Sequence, residues 1–589
     1  MRVDYSLLKL KLETLSQSDY KLQLTGDQVD TYRIDLADNQ LFRLIRVHYD
    51  EDVNSEELIK KIKEKKDIQL NIKETNYGNI LIELKNDLEK KNNEIKELNF
   101  IKDIIFIEIP SSGDKKEINK NIEHIYRNGI IVNGLKYKRW GKSSSMTRHN
   151  IIAFMSENIY DDIYKRAMMD IELKEVIIAK WEAYFNLLLS SCEFISEVPY
   201  TVVVDDYCTI LDKRKFQYVV ERIAHDKDTG EVIMKDNNEN EPITYKDIDI
   251  VEKDDIEMNW FDGEGIITKE TSLKFKEDLG LTYKPCAYII RMPFIKGLVI
   301  EMDFKLYCEE NNVTEITDYW GVKHKASDVE MVITKSQFKA IKEFKNWNDY
   351  MQKFKKYDHK MGVTRYNKNP KSESPMSRYN FQYLQTLPNL KGDIIEVAKY
   401  SVDWAKNIIK GDKLHTLLFL GTIGKSMYEE LSDDDELEQY NAETSDLFKD
   451  IFSDSDKYTK AILLNDVMLN DVHIQHEYLY KMLEKYIREM KFGKIWVEGK
   501  YEFLYSDTYA LMQHICGHKV TGLLRENEHW SNKKQGKYLG TRSPLVDFSE
   551  MNKMNFINNK LTQKWFGHLY HGIMLNVYGI DVIKMSDCD

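Results

Sequence analysis

Apolar residues recur along this chain in two rhythms, and the alternation between them divides it. In a Lys/Glu/Asn-rich stretch, Leu81, Leu84, Leu88, Ile95 and Leu98 keep a spacing of three to four, which predicts an amphipathic or briefly coiled helix. Around it FRLIRVHY (42–49) and DIIFIEIP (103–110) read as short strands, so residues 1–135 form an N-terminal mixed α/β domain. From Asn158 to Ser190 the spacing becomes strongly helical but carries too many charges to enter a bilayer. A core helix within a helical segment (136–200) is expected there. Beyond it PYTVVVDDYC, FDGEGIITKE, KPCAYIIRMPFIKGLVIEMDF and DVEMVITKSQF are β-rich runs punctuated by Gly and Pro, the mark of a barrel of short strands over 201–345. A helical connector follows (346–485), and then a second β-unit (486–589) with KIWVEGKYEFLYSD, TGLLREN, YLGTRSPLVDF and NVYGIDVIKM. The fold class is α+β.

Composition narrows the function classes. With 31% charged and 42% hydrophobic residues over 589 positions, the chain is globular and long enough for several domains. No apolar run reaches the roughly 20 residues of a spanning helix, and the N-terminus carries no signal-peptide pattern, so no membrane association and a cytoplasmic setting are expected. Six dispersed cysteines without a CxxC fit a reducing compartment. His514, Cys516 and His518 in QHICGHK alternate as on one strand face; a half-buried strand accounts for them more simply than a metal.

The net charge of −13 argues against a phosphate-rich partner only on average, because it is blind to distribution. Between Met351 and Arg378 eight Lys/Arg face two acids, a stretch able to contact phosphates, while SDDDELE (432–438) is a solvated acidic run. Lys296 beside Gly297, between two apolar strands, and Lys339 in ITKSQFKA are ordinarily snorkelling surface lysines. If they converge, they suit a polyanion such as a triphosphate. In FDGEGIITKE the glycines Gly263 and Gly265 can supply the positive φ of a tight turn.

Together these segments carry a family resemblance. DGEGIITKE followed by AYIIRMPFIKGLVIEMD resembles the first catalytic barrel of the eukaryotic-type, RNA-silencing RNA-dependent RNA polymerases, in which DGxG precedes QIR, YKG and VD. KRWGKSSSMTRHNIIAF is similar to that family's SSSQLR stretch, here Ser143, Ser144, Ser145 and Arg148. KSQFKA resembles its R-P-S-M-x-K-F segment, with Lys339 at the lysine and no arginine at the first position. At the other end LGTRSPLVDF and, starting 45 residues after Leu539, the terminal KMSDCD resemble the β′ side of multisubunit RNA polymerases, where N-R-A-P-T precedes A-D-F-D-G-D.

The resemblance implies two double-psi β-barrels joined by the helical connector and facing one another. Lys296 and Lys339 would stabilise phosphate charge, Arg542 would contact the ribose, and Asp587 and Asp589 would ligate Mg²⁺. Closely spaced carboxylates repel until a divalent cation sits between them, and compact oxygen ligation suits Mg²⁺. The chain ends before the loop's glycine and third aspartate, so on its own it is expected to hold Mg²⁺ poorly, with a further C-terminal polypeptide completing the site.

The implied function is template-directed RNA synthesis from nucleoside triphosphates, with nucleic-acid template and RNA product as partners, in a bacterial host cell. The compact, Lys/Asn/Ile-rich chain resembles single-chain phage polymerases of the YonO type, which puts DNA first as template and RNA as the alternative. A non-catalytic nucleic-acid-binding half of a split polymerase is the second alternative.

Overall fold

A computed structural model describes the chain except for residues 1–2, 50–51, 75–77, 174, 212–213, 228, 236–237, 254–255, 370–375, 380, 386, 388–389, 421–457, 459–461, 463–464, 533, 543–544, 546–549 and 580–589. The acidic run at 432–438, Asp587 and Asp589 therefore lie outside the described residues.

The N-terminal region builds a seven-stranded mixed sheet with Phe100–Glu108 and Asp4–Lys11 as a parallel pair near its centre. Alternating apolar side chains of both strands are buried on its two faces, Leu7 and Ile104 in one cluster, Leu8 and Ile105 in another. FRLIRVHY is not the expected strand. It lies in the helix Gln40–His48, where Leu41, Phe42, Leu44 and Ile45 all reach the core, a pairing of neighbours that a helical face accommodates and a strand's alternation does not. The Asn39 side chain caps it by accepting the Phe42 N–H at 2.9 Å.

The amphipathic pattern around Leu88 forms the second arm of a helical hairpin, Asp52–Glu74 against Gly78–Leu98, clipped by Lys61–Glu94 at 2.9 Å and Lys91–Glu64 at 2.8 Å. The single helix expected over Asn158–Ser190 breaks in two. Glu157–Met168 stops where Met169 and Asp170 take φ of 51° and 60°, and Ile178–Phe185 resumes after a connection. Strands Leu135–Gly141 and Ile151–Ser156 also fall inside the segment expected to be helical.

The predicted β-rich runs assemble into a second seven-stranded sheet, ordered Glu193–Phe194, Gly362–Tyr366, Ala287–Met292, Ile295–Glu301, Glu264–Ile267, Met331–Thr334, Thr201–Val204. Ala287–Met292 and Ile295–Glu301 form a tight hairpin, with Arg291 opposite Lys296, whereas Glu264–Ile267 runs parallel to Ile295–Glu301. One face of this sheet, with Tyr288, Ile290, Ile295, Val299 and Ile333, joins the N-terminal core. The other, with Ile266, Ile300 and Val332, shares a continuous core with Tyr505, Met512, Trp530, Phe566 and Met574 of the C-terminal region. The C-terminal strands are shorter: Phe503–Ser506 pairs in parallel with Gly572–Leu575, and Glu528–His529, Asn552–Phe556 and Gly536–Gly540 make a three-stranded sheet. The α+β class holds. QHICGHK is the end of the helix Thr508–Ile515 rather than a strand, and TGLLREN forms none.

Three motif glycines are required for different reasons. Gly263 has φ +70° with open space around it, so its need is conformational. Gly265 and Gly297 lie in strands without positive φ and instead lie against Gln337: a Cβ on Gly297 would overlap the Gln337 amide and stand 2.6 Å from the Gly263 carbonyl, and one on Gly265 would overlap the Val332 carbonyl. Gly297→Ala and Gly265→Ala are therefore expected to destabilise by about 1–3 kcal/mol each through overpacking, and Gly263→Ala by about 1 kcal/mol through backbone strain. The melting midpoints, compared with a Gly297→Ala/Gln337→Ala pair, check this: the double variant is expected to cost less than the sum of the two singles.

Candidate phosphate-facing hairpin

Three sequence segments far apart in the chain close on one another through the turn after Met331–Thr334. The Thr334 side chain and Gln337 form a reciprocal capping box, with the Thr334 N–H donating to Gln337 Oε1 at 2.9 Å. Gln337 Nε2 donates to the Leu298 carbonyl at 3.1 Å, tying the turn to the Lys296 strand. Thr334 Oγ1 donates to the Glu264 carbonyl at 2.9 Å, and the Gly263 N–H donates to Ser336 Oγ at 2.9 Å, tying it to the DGEG turn. Gln337 and Thr334 are fully buried, so the bonds from Thr334 to Gln337 and to Glu264 are made away from water and would be costly to leave unmade.

This turn brings the backbone at Lys339 against the hairpin that carries Lys296. The Lys339 N–H donates to the Phe294 carbonyl at 2.8 Å, and Phe338 bridges to Ile295, the residue before Lys296. Phe338 and Ile295 are both buried in the N-terminal core, so alternation turns Lys339 away from that core. Lys296 is exposed and Lys339 half-buried. Lys335, one turn earlier, is held by Asp205 at 3.1 Å, and the Ser336 N–H donates to Asp206 at 3.1 Å. Phe294, at the tip of the hairpin, has φ +61°, a backbone conformation maintained by the surrounding hydrogen bonds.

Beneath the turn, Glu264 is buried and accepts the Ser506 N–H with both carboxyl oxygens at 3.0 Å. Burial pushes its pKa up to about 8 despite that hydrogen bond. Next to it in the C-terminal region, Asp507 is also buried and accepts four backbone N–H bonds, from Tyr509, Ala510, Leu523 and Leu524, at 2.7 to 3.1 Å. Asn367 adds a third tie: its side chain donates to Tyr505 Oη at 2.8 Å and to the Tyr570 carbonyl at 3.1 Å and accepts the Cys286 N–H at 3.2 Å. Sequence reasoning missed Gln337, Asn367 and the role of Glu264, although Glu264 stood inside the DGEG motif.

The remaining nominated residues fall elsewhere. Arg542 follows the strand Gly536–Gly540 and is half-buried. His514, Cys516 and His518 do not converge: His514 bonds the Asp205 carbonyl, His518 meets the Tyr307 hydroxyl at 2.9 Å, and Cys516 faces Cys308 with 3.8 Å between sulfurs. Among the described residues no group of three or more His, Cys, Asp or Glu is arranged to hold a metal. Within the basic stretch 351–378, Lys356 pairs with Asp170 at 2.7 Å and Arg378 with Glu489 at 2.9 Å, so part of its charge is used inside the fold, whereas Lys355 and Lys360 are exposed. Among the described residues no helix is long and apolar enough to cross a membrane.

With its pKa raised to about 8 in the folded state, Glu264 retains in the native state a proton that the unfolded chain has lost between about pH 4.5 and 8. Stability from this group is present below that window and falls as pH rises through it. Glu264→Gln is expected to flatten this part of the profile, read as melting midpoint against pH from 5 to 9; an equally steep decline in the variant would place the titration elsewhere.

Residues 53–491 match the family model described as RNA dependent RNA polymerase. The DNA-directed RNA polymerase YonO of Bacillus phage SPbeta is 25% identical over 458 residues, covering 76% of this chain and 46% of that protein. The chain thus spans about half the length of the curated relative it matches. The RNA dependent RNA polymerase QDE-1 from Thielavia terrestris aligns at a TM-score of 0.46 with 13% identity, over 80% of this chain and 46% of the other. With the model matched over most of its length, the chain belongs to the RNA dependent RNA polymerase family.

Proposed function

We propose that this chain carries out template-directed RNA synthesis, joining nucleoside triphosphates to an RNA 3′ end. The observation that supports it most is the meeting of Lys296 and Lys339 on adjacent backbone segments, fastened by the Lys339 N–H to the Phe294 carbonyl at 2.8 Å. Two ammonium groups on neighbouring backbone segments suit a triphosphate, whose charge grows at the leaving oxygens as the bond to the α-phosphorus forms. A Glu264 kept neutral below about pH 8 adds no opposing charge beneath them.

In this reading residues 201–345 and 486–589 are two double-psi β-barrels, the first presenting Lys296 and Lys339, the second Arg542 toward the ribose. Asp587 and Asp589 offer hard oxygen donors one residue apart, the ligand chemistry Mg²⁺ prefers. When bound, Mg²⁺ neutralises charge on the attacking 3′ oxygen and on the phosphates. The template is DNA, as the name of the YonO relative has it for that protein; an RNA template is the second reading, favoured by the family whose model matches. The setting is the cytoplasm of a bacterial host cell, and exposed bases such as Lys355 and Lys360 contact the nucleic-acid backbone.

Primer extension with labelled nucleoside triphosphates and Mg²⁺, on matched DNA and RNA templates, tests this reading. It is run on the 589-residue chain and on a version lengthened after Asp589 by an added Gly-Asp. Incorporation is expected in the extended version, with Lys296→Ala and Lys339→Ala each lowering it by about a hundredfold or more. The template that supports synthesis decides between the two readings. Nucleic-acid binding should weaken steeply with salt. Binding without incorporation by either version would leave a non-catalytic binding protein and sink the polymerase reading.

A further inference from the structure

Two cysteines from separate regions of the chain meet sulfur to sulfur. Cys308 lies on the helix Phe304–Glu310, which follows the strand Ile295–Glu301 of the central sheet. Cys516 closes the C-terminal end of the helix Thr508–Ile515, where Gly517 takes φ +70° and turns the chain back. The sulfurs stand 3.8 Å apart, close to van der Waals contact, and bring together positions 208 residues apart along the chain. Around them the two helices are already fastened. The Tyr307 hydroxyl meets His518 Nδ1 at 2.9 Å, Lys564 pairs with Glu310, and the Tyr307 ring stands edge-on to Tyr509 at 5.3 Å and to Trp565 at 6.0 Å.

Free cysteines in a core often serve only as small apolar side chains. Cys192 and Cys286 do so: both are buried, burial pushes both thiols up, and their sulfurs lie against Gly362 and the Asn367 side chain. Cys308 differs. The hydrogen bond it shares with the Cys516 thiol holds it below its usual range, against the effect of burial, and the same bond pushes Cys516 up. A sulfur with thiolate character beside a second, half-buried thiol is arranged so that, once oxidised, it is met at once by a resolving partner. The two side chains share an approach of about 1.8 Å, from 3.8 Å to the roughly 2.05 Å of an S–S bond, by rotation about their Cα–Cβ bonds.

From this juxtaposition we infer that Cys308 and Cys516 are an oxidative modification site, closing to a reversible disulfide that clasps the C-terminal region to the central sheet when a peroxide is present. The Cys308 thiolate attacks one peroxide oxygen. The O–O bond breaks, and the departing hydroxide takes up the proton that Cys308 gave up, leaving water and a sulfenic acid. The Cys516 sulfur then attacks that sulfur: the S–S bond forms, the S–O bond breaks, and the hydroxide leaves with the Cys516 proton as a second water. Two electrons pass from the thiols to the peroxide, and an added dithiol returns them. In a reducing compartment the two thiols are the resting state. Closure of this pair needs neither nucleotide nor template, so it stands apart from the polymerase reading.

The test treats the full chain with hydrogen peroxide and then alkylates the remaining thiols under denaturing conditions. Of the six cysteines, two are expected to escape alkylation, in a peptide pair that carries Cys308 and Cys516 and separates on reduction with dithiothreitol. Because the link closes a loop of 208 residues, the melting midpoint of the oxidised chain is expected to rise by about 5 °C and to return on reduction. Cys516→Ser is expected to lose both the cross-linked pair and the rise. A Cys208→Ser/Cys588→Ser chain, which keeps only the facing pair and the two buried thiols, is expected to retain both. Six alkylated cysteines after peroxide, separate sulfinic acids without a cross-link, or a disulfide between other cysteines would each overturn the inference. So would a Cys308–Cys516 disulfide that leaves the melting midpoint unchanged, since it would then clasp nothing.

Discussion

The central sheet depends on one buried amide. Gln337 sits where a side chain on Gly265 or Gly297 would otherwise be, and its amide spans the turn at Thr334 and the strand at Leu298. A carboxylate of the same shape could accept from Thr334 but not donate to Leu298, and an apolar residue would leave both backbone groups unpaired in a dry interior. The two glycines and the glutamine therefore form one constraint, and the close approach they permit is what brings Lys339 beside the Lys296 hairpin.

A second constraint fastens the C-terminal region to that sheet. The Glu264 carboxyl, the Asn367 amide and a shared apolar core join segments 138 and 242 residues apart along the chain. Area-driven burial supplies most of the attraction but no register. The polar ties fix the register, since sliding one region past the other would leave Glu264 and Asn367 with unmade hydrogen bonds. A site assembled from both regions needs such fixing, because positions must hold to a fraction of an ångström for charge on one side to act on chemistry at the other.

How much of this was legible follows from how local each signal is. Strands Thr201–Val204, Glu264–Ile267, Ile295–Glu301 and Met331–Thr334 announce themselves as apolar runs closed by Gly, Pro or Asp, and all four appear. FRLIRVHY misled because two pairs of adjacent apolar residues satisfy a helix face as readily as a strand buried on both sides. The long helix over 158–190 misled because periodicity continues through Met169 and Asp170, whose left-handed backbone has no strong residue signature outside glycine. His514, Cys516 and His518 read as one strand face and turned out to serve three different partners around a helix end.

The sequence by itself determined the ordered set of motifs, DGEG, KG, KSQFKA and the terminal DCD, because residue type and spacing are written in the chain. Lys296 and Lys339 as candidates also came from it. Only the tertiary structure decided what those motifs touch. Gly265 and Gly297 need to be glycine on account of Gln337, and Glu264 is held neutral up to about pH 8 by its burial beside Ser506. The physical reason is that close approach and desolvation depend on atoms brought together from distant positions, which no local pattern encodes.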